Sequence, residues 1–434
     1  MTQASRAVKN ERIALVAGLR TPFAKQATAY RGCSALSLGS ALVNELIRRS
    51  DLDPALVDLL VFGQVIQMPA APNIAREIVL LSPLPPTTDA YSVSRACATS
   101  FQAVANVAQA IWLGQSQAGI AGGADSCSLL PIGLSDPLSV ALLDLQKARS
   151  WRQRWQAVKT LRPRHFKPVP PPVAEYATGL SMGQSAEQMA QRYGIGREAQ
   201  DEYALASHQK AAAAWAAGWL DDEVAPCHLL ADGPPLTQDN LIRPEARLAD
   251  YQALKPAFVR PGGTITAGNS SALTDGAAAV LLMKESLARA QGLTPLGYLR
   301  SLAFAAKTVQ EDLLLAPAMA IPKALALAGC RWEELTLVDM HEAFAAQVLC
   351  TLQCLSDERY ATQTLGLAEP VPPVAAERFN VLGGSLAYGH PFAATGARMI
   401  TQTLRELQRR GGGLALTSAC AAGGLGVAMV WEGA

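Results

Sequence analysis

Short, continuous apolar runs, most of them close to a glycine, alternate with helical patterns along this chain of 434 residues. Such runs are typical of strands buried on both faces, because a strand with one face in water alternates apolar and polar residues. A sheet buried on both faces needs helices on each side. The sequence therefore predicts an α/β protein, with strands in residues 13–16, 59–65, 118–122, 278–283, 335–340, 414–418 and 427–431.

A weak internal repeat relates residues 97–125 to residues 390–418. Each segment begins with one reactive side chain, Cys97 or His390, and continues with a small-residue helix, a glycine and a buried strand. Two similar halves would place both helix starts near a pseudo-two-fold axis. Chance similarity between two Ala-rich helices is the alternative that the sequence leaves open.

The region from about 128 to 258 differs in composition from its surroundings, with a Pro-rich stretch at 161–175 and a Trp-bearing helical pattern at 199–218. Such a shift is typical of an insertion laid over a core, where substrate contacts are often made. We expect an N-terminal half formed by residues 1–127 and 259–290, an inserted loop domain at 128–258, and a C-terminal half at 291–434.

The insertion contains a basic segment, residues 147–167, with eight Lys or Arg residues and no acidic residue. Trp151, Trp155 and Val158 fall on one side of it at helical spacing. A basic amphipathic helix of this kind could meet anionic lipid, the phosphates of a nucleotide-bearing ligand, or a partner subunit. A merely solvated helix is the other interpretation.

Composition excludes several classes of protein. Lys plus Arg (37) nearly equals Asp plus Glu (36), so the net charge gives no reason to expect nucleic acid as a partner. The first twenty residues lack the apolar core of a signal peptide, and the apolar stretch 313–327 is too short and too interrupted to span a bilayer. The eight cysteines form no CxxC pair, so we expect neither a metal site nor disulfides, and a cytoplasmic location.

Two reactive side chains stand at predicted helix starts. Cys97 opens a helix predicted at 98–113, where unpaired N–H groups and the helix dipole favour a thiolate. The alternative is that such a cysteine is unreactive and only packs in the core. His390 follows a glycine-rich turn and precedes Pro391, which suits a first helical position, so the imidazole is presented on a tight turn as a proton acceptor. A structural histidine is the alternative there.

Two further residues follow predicted strands. Cys420 leads into the small-residue loop Ala-Ala-Gly-Gly-Leu-Gly426, which would let a ligand approach backbone amides. This pattern suggests an acid/base thiol beside amide donors for an oxyanion, or else a plain tight turn. His341 follows the run 335–340, at the carboxyl edge of a strand, where sites in α/β proteins gather.

These motifs resemble, in order and spacing, those of the thiolase family. The resemblance covers the length of the chain and includes Arg20-Thr-Pro-Phe, Cys97, Gly122-Gly-Ala-Asp125, Gly268-Asn-Ser-Ser-Ala-Leu-Thr-Asp-Gly276, His341-Glu-Ala-Phe, Gly389-His390-Pro and Cys420. The segments SVSRACATSFQA, AEYATGLSMGQSAEQMA, DMHEAFAAQ and NVLGGSLAYGHPFAATGARMITQTL are most similar to one branch, the thiolase (beta) subunits of the bacterial anaerobic-type fatty-acid oxidation trifunctional complex.

The resemblance implies a five-layered αβαβα core made of two similar halves, with a loop domain inserted in the first. It implies an acyltransferase of fatty-acid β-oxidation, which uses CoA to cleave 3-ketoacyl-CoA into acetyl-CoA and a shortened acyl-CoA. CoA is a co-substrate, and no permanently bound cofactor is expected. A homodimer, an alpha subunit with hydratase and dehydrogenase activities, and peripheral membrane contact are also implied.

The resemblance assigns roles to the reactive residues. Cys97 is the nucleophile that takes the acyl group, and His390 is the base that activates it. Cys420 protonates the departing enolate and later deprotonates the incoming CoA thiol. His341 and His390 form one oxyanion hole, His341 through a water.

Other groups complete the implied site. The amides of Cys97 and Ala422 form the second oxyanion hole, and Ser271 contacts the pantetheine arm of CoA, unless its segment is only a buried turn. The chain departs from most thiolases at His341, where they carry Asn, and at Ala421-Ala422, where they carry Gly. Both changes are features of the trifunctional branch.

These residues are also compatible with other functions. An acetyl-CoA acetyltransferase would use the same groups in the condensing direction. A ketoacyl-synthase-like condensing enzyme shares a Cys with two His, but its decarboxylating chemistry has no need of Cys420. A non-catalytic lipid carrier of the same fold would have lost its reactive residues, which are all present here.

Overall fold

A computed structural model describes residues 11–227 and 234–434 of the chain. The expectations for residues 1–10 and for residues 228–233 of the insertion lie outside this description. The strands are β1 (Ile13–Arg20), β2 (Ala24–Lys25), β3 (Leu59–Gly63), β4 (Asp89–Tyr91), β5 (Ala118–Asp125), β6 (Thr274–Lys284), β7 (Gly297–Ala306), β8 (Leu335–Met340), β9 (Leu414–Ala421) and β10 (Leu425–Gly433).

The helices alternate with these strands, as the sequence pattern predicts. They are α1 (Ala35–Ser50), α2 (Ile74–Leu80), α3 (Thr99–Trp112), α4 (Asp136–Lys147), α5 (Trp151–Val158), α6 (Met182–Arg192), α7 (Arg197–Ala216), α8 (Leu248–Gln252), α9 (Glu285–Ala290), α10 (Pro317–Ala328), α11 (Ala345–Ser356), α12 (Ser385–Tyr388) and α13 (Thr395–Arg409).

The strands form a ten-stranded sheet in the order β4-β3-β5-β6-β1-β7-β10-β9-β8, with β2 paired to β6. The order β3-β5-β6-β1 of the first half recurs as β8-β9-β10-β7 in the second. In each half the first pair is parallel and the next is antiparallel. The predicted internal repeat is therefore confirmed. The halves meet where Ile13 of β1 pairs with Leu299 of β7.

Helices occupy three levels around the sheets. Helices α3 and α13 share one apolar core with strands of both halves. The helices contribute Phe101 and Val104 of α3, and Met399 and Leu404 of α13. Helices α1 and α2 cover the outer face of the first half, and α10 and α11 cover that of the second. The chain thus has an α/β architecture of five layers, helix–sheet–helix–sheet–helix, as the family resemblance implies, and each half of the ten-stranded sheet forms one sheet layer.

Small residues allow the two central helices to touch. A Cβ added at Gly396 would lie 2.6 Å from a ring carbon of Phe101, so only glycine permits this approach. Close by, the Ala397 N–H donates to Ser100 Oγ at 2.9 Å. This contact joins the start of α13 to the start of α3, and it brings the segments that carry Cys97 and His390 together.

The insertion between β5 and β6 is attached to the core by a buried ion cluster. Arg20, at the end of β1, donates to Glu223 at 3.1 Å and to Asp239 at 2.6 Å, and all three residues are buried. Buried charges are stable only when they are paired in this way. The cluster fixes insertion loops beside the carboxyl end of β1.

Some elements differ from the sequence predictions. Strand β7 was not predicted, because exposed or half-buried residues such as Arg300 interrupt its apolar pattern. The basic segment does form a helix, α5, on which Trp151 is 79% exposed and Trp155 is 60% exposed. Among the described residues, no helix combines the length and the apolar composition needed to cross a membrane.

Candidate active site

Cys97 lies on a tight turn directly before α3. Ala96 has a positive φ of 45°, a conformation that is unfavourable for a residue with a side chain. Thr99 stabilises the turn, since its Oγ1 accepts from the Arg95 N–H at 2.9 Å and donates to the Ala96 carbonyl at 2.7 Å. The turn places the sulfur of Cys97 at the wall of a cavity.

His390 reaches this sulfur from the other half of the molecule. Gly389 before it has φ 91°, and a Cβ at that position would clash with Thr274. His390 Nε2 lies 3.0 Å from Cys97 Sγ, and Nδ1 lies 2.6 Å from Thr395 Oγ1. For Nε2 to accept the S–H proton, Nδ1 must carry the ring proton and donate to Thr395. In that tautomer the ring would be oriented to act as a base toward Cys97.

The protonation states of this pair follow from burial. Burial raises the pKa of the Cys97 thiol to about 12, although the backbone N–H groups of Ala422 and of Cys97 itself act to lower it. Burial, with the nearby Arg398 charge, lowers the pKa of His390 to about 3. The helix start was expected to favour a thiolate, but desolvation outweighs it here. Both shifts favour a neutral thiol beside a neutral imidazole.

His341 follows β8 and lies against His390. Its backbone N–H donates to the Ser418 carbonyl at 2.8 Å, and its Nδ1 lies 2.9 Å from Ser385 Oγ. The two imidazole rings have centroids 4.2 Å apart at an angle of 44°. Burial, followed by the His390 and Arg398 charges, lowers the pKa of His341 well below its usual value, so this ring is neutral as well.

Cys420 lies inside β9 rather than after it, because the strand extends to Ala421. Its side chain lines the same cavity as Cys97 and His390. Burial raises the pKa of the Cys420 thiol well above its usual value, and proximity to Cys97 adds to the effect. A thiol held protonated in this way is a suitable proton donor.

Two apolar cavities meet at Cys97. The first, of about 210 Å³, contains Cys420 and Ser271, whose N–H donates to the Ala343 carbonyl at 2.9 Å. The second, of about 440 Å³, is lined mainly by apolar side chains. Both cavities share the lining residues Cys97, Val173, Met182, Leu273, Phe392 and Ala422.

The insertion forms part of both cavity walls. Val173 and Met182 of the insertion contact the shared region. Glu175 accepts a hydrogen bond at 2.5 Å from the backbone N–H of Gly423, in the turn that follows Cys420. The insertion therefore contacts the turn after Cys420 directly, and the expectation that it contributes substrate contacts stays a prediction.

Cys97, His341 and His390 also have the composition of a metal site. The sulfur and one nitrogen from each ring all lie within 4.8 Å of one another. Thiolate and imidazole ligands suit soft ions such as Zn²⁺. The short contact between Cys97 and His390 equally fits a nucleophile and its base, and the expectation that no metal is bound stays a prediction.

Sequence reasoning missed the groups that orient the reactive residues. Thr395 and Ser385 contact the two imidazoles, and buried Asp125 accepts from the N–H groups of Ile66 and Ala393 at 2.8 Å each. The position of Thr395, five residues after His390, is a signal that could have identified it. Ser385 lies 44 positions from its partner histidine, so no local pattern indicates that contact.

The chain is similar to known proteins along most of its length. The model of the family described as "Thiolase, N-terminal domain" matches residues 13–286, and that of "Thiolase, C-terminal domain" matches residues 293–433. Two curated proteins named 3-ketoacyl-CoA thiolase, from Aeromonas salmonicida (strain A449) and Klebsiella pneumoniae (strain 342), are each 60% identical over 424 residues, which cover 98% of this chain and 97% of theirs.

Solved structures extend the comparison to the fold. An acetyl-CoA acetyltransferase from Bacillus anthracis has a TM-score of 0.82 at 29% identity, covering 98% of this chain and 99% of that one. Human mitochondrial 3-ketoacyl-CoA thiolase in complex with CoA has a TM-score of 0.81 at 28% identity, covering 98% of each chain.

Proposed function

The chain belongs to the thiolase family, and on that premise we propose that it is a 3-ketoacyl-CoA thiolase of fatty-acid β-oxidation. This acyltransferase cleaves 3-ketoacyl-CoA with CoA to give acetyl-CoA and an acyl-CoA shortened by two carbons. One observation carries the proposal. A thiol and an imidazole lie 3.0 Å apart where two apolar cavities meet, with a second thiol on the same wall.

The first half-reaction transfers the acyl group to Cys97. As Cys97 Sγ attacks the 3-keto carbon, its proton moves to His390 Nε2. The bond between carbons 2 and 3 then breaks, and its electron pair leaves as the enolate of acetyl-CoA. Cys420 gives its thiol proton to carbon 2, which releases acetyl-CoA and leaves Cys420 as a thiolate. Dividing the reaction at an acyl-cysteine replaces one difficult step by two easier ones.

The second half-reaction returns both protons. The Cys420 thiolate takes the proton of the incoming CoA thiol, and the CoA sulfur attacks the acyl carbon on Cys97. When the tetrahedral intermediate collapses, Cys97 leaves as a thiolate and regains its proton from His390. The neutral pair and the protonated Cys420 are thereby restored, as their raised and lowered pKa values favour.

Two groups of N–H donors support the charged oxygens. We assign the amides of Cys97 and Ala422 to the oxyanion on the acyl carbon, because both N–H groups lie against the Cys97 sulfur. We assign His341 and His390 to the thioester oxygen, where enolate charge develops. Donors fixed in a site from which water is excluded stabilise such charge strongly.

The two cavities suit the two parts of the substrate. We assign the cavity that contains Ser271 to the pantetheine arm and the larger apolar cavity to the acyl chain. CoA then acts as a co-substrate. Thiols and imidazoles provide every proton transfer in this scheme, so the reaction as proposed requires no permanently bound cofactor.

The domain division and the partners remain part of the proposal. We retain the halves 1–127 with 259–290 and 291–434, the insertion 128–258, a cytoplasmic homodimer and an alpha subunit with hydratase and dehydrogenase activities. The exposed Trp151 and Trp155 on the cationic α5 support a role for that helix in contact with lipid or with the partner subunit. Replacing both tryptophans by serine tests this role by vesicle flotation and by copurification.

A thiolysis assay tests the proposed activity. With enzyme in catalytic amounts, the absorbance of 3-ketoacyl-CoA substrates should fall continuously only when CoA is present, and a Cys97→Ser variant should lose this activity. Cys330→Ser, which changes a cysteine outside both cavities, is the matched control and should retain it. No absorbance loss in the presence of CoA, together with release of CO₂ from malonyl-CoA, would instead indicate a decarboxylating condensing enzyme.

A further inference from the structure

A buried arginine approaches the site from α13. Arg398 is 1% exposed, and its guanidinium donates to Gln402 Oε1 at 3.0 Å and to Ser385 Oγ at 3.0 Å. Among the described residues, no carboxylate lies within ion-pair distance of it. Because a guanidinium is always charged and can only donate hydrogen bonds, the direction of its bond to Ser385 is fixed.

The Ser385 hydroxyl connects this arginine to His341. The hydroxyl has one hydrogen to donate, and its oxygen lies 2.9 Å from His341 Nδ1. If Nδ1 carried the ring proton, two donors would point at this oxygen, and the hydroxyl hydrogen would have no acceptor among the described residues. With Nδ1 unprotonated, both contacts of the Ser385 hydroxyl become hydrogen bonds: Arg398 donates to Ser385, and Ser385 donates to His341.

The remaining nitrogen of His341 is then a donor. The neutral ring must carry its proton on Nε2, which is buried and has no hydrogen-bond partner within residues 11–227 and 234–434. A ring nitrogen of His341 lies within 4.8 Å of the Cys97 sulfur. A buried N–H without an acceptor is costly, so an oxygen that arrives with the substrate would satisfy it.

The neighbouring imidazole has the opposite arrangement. His390 has Nδ1 directed at Thr395 and Nε2 directed at the Cys97 thiol. The site therefore contains two neutral histidines of opposite tautomer in a tilted ring contact, one that accepts a proton and one that donates a hydrogen bond.

We propose that Ser385 and Arg398 are positioning residues that hold His341 in its Nε2–H tautomer, so that its ring donates a hydrogen bond to the thioester oxygen of the substrate. The inference deepens the proposed function, since it rests on thiolysis at Cys97. Neither residue touches the substrate in this scheme, and both act through His341.

The tautomer itself is measurable without turnover. In ¹⁵N-histidine-labelled protein, the ring signals of His341, assigned by their loss in a His341→Asn variant, should show a pyridine-like Nδ1 and a pyrrole-like Nε2. In Ser385→Ala the two signals should move toward a mixture of tautomers. A pyrrole-like Nδ1 in the wild-type protein would overturn the inference while leaving thiolase activity, and so the proposed function, intact.

Kinetics provide the second measurement. Ser385→Ala should lower kcat about 10- to 100-fold and change KM only slightly. This loss is no larger than the loss of kcat caused by removing one oxyanion-hole donor. Ser385→Thr keeps the hydroxyl and should restore most of the rate. Arg398→Gln should resemble Ser385→Ala, because an amide cannot fix the direction of the hydroxyl.

A buried serine away from the site serves as the matched control. Ser301 donates to the Ala324 carbonyl at 2.7 Å, and Ser301→Ala should leave both kcat and the His341 signals unchanged. Wild-type kcat and an unchanged tautomer in Ser385→Ala would contradict the inference. If Ser385→Ala does not fold, the wild-type spectrum and Ser385→Thr decide the matter. Absence of thiolysis in the wild-type protein would instead refute the proposed function.

Discussion

His390 Nε2 lies 3.0 Å from Cys97 Sγ, although the two residues are 293 positions apart in the chain. The contact exists because α3 and α13 are equivalent elements of the two halves and touch at Gly396. The internal repeat thus has a chemical consequence, since one half contributes the nucleophile and the other contributes its base. The electrostatics of this pair lead to the first prediction.

The pH dependence of Cys97 alkylation should be that of a neutral thiol. Since burial raises its pKa to about 12, the thiolate fraction should rise roughly tenfold per pH unit throughout pH 6–9. The rate of inactivation by iodoacetamide, measured from the residual activity, should rise without a plateau in that range. A plateau beginning below pH 7 would indicate a thiolate–imidazolium pair instead. Cys97→Ser protein supplies the background of labelling at other cysteines.

Removal of Cys420 should stop proton transfer at carbon 2. In Cys420→Ala, exchange of the acetyl-CoA methyl hydrogens with D₂O, measured by NMR, should slow by about 10²- to 10⁴-fold, the usual contribution of a positioned acid/base group. Alkylation of Cys97 should continue, which shows that the site is intact. Cys350→Ala, a change at another buried cysteine, should exchange normally. Unchanged exchange in Cys420→Ala would assign the proton transfer to another group.

Filling the larger cavity should shorten the preferred substrate. Leu130 lines that cavity but not the one assigned to pantetheine. Leu130→Trp should lower kcat/KM for long-chain 3-ketoacyl-CoA at least about tenfold, because the added ring occupies space assigned to the acyl chain. Acetoacetyl-CoA cleavage should hardly change. Equal loss for short and long substrates would mean that the acyl chain lies elsewhere.

Truncation of Arg20 should destabilise the fold. Arg20→Ala leaves Glu223 and Asp239 buried without their cation, so the free energy of unfolding, measured with urea, should fall by about 3–5 kcal/mol. Arg48→Ala removes a surface ion pair with Glu45 and should produce no measurable change. Equal changes in the free energy of unfolding would contradict the claim that the buried ion cluster stabilises the fold more than the surface ion pair.

The sequence predicted the fold class, the repeat and the reactive side chains, because these depend on local patterns. Buried strands such as β5 have apolar runs, whereas β7 alternates and was missed. The protonation of Cys97 could not be predicted, because a helix start is visible in the sequence but the depth of burial is not. Ser385 and Arg398 were missed for the same reason, since only tertiary packing brings them to His341.

The central claim is that the acyl group passes through the sulfur of Cys97. Protein mixed with a 3-ketoacyl-CoA in the absence of free CoA, quenched in acid and digested, should contain one peptide heavier by the shortened acyl group, with the modification on Cys97. The adduct should disappear when CoA is added before the quench. An acyl group found on Cys420, or CoA-dependent cleavage that persists in Cys97→Ser, would contradict the account.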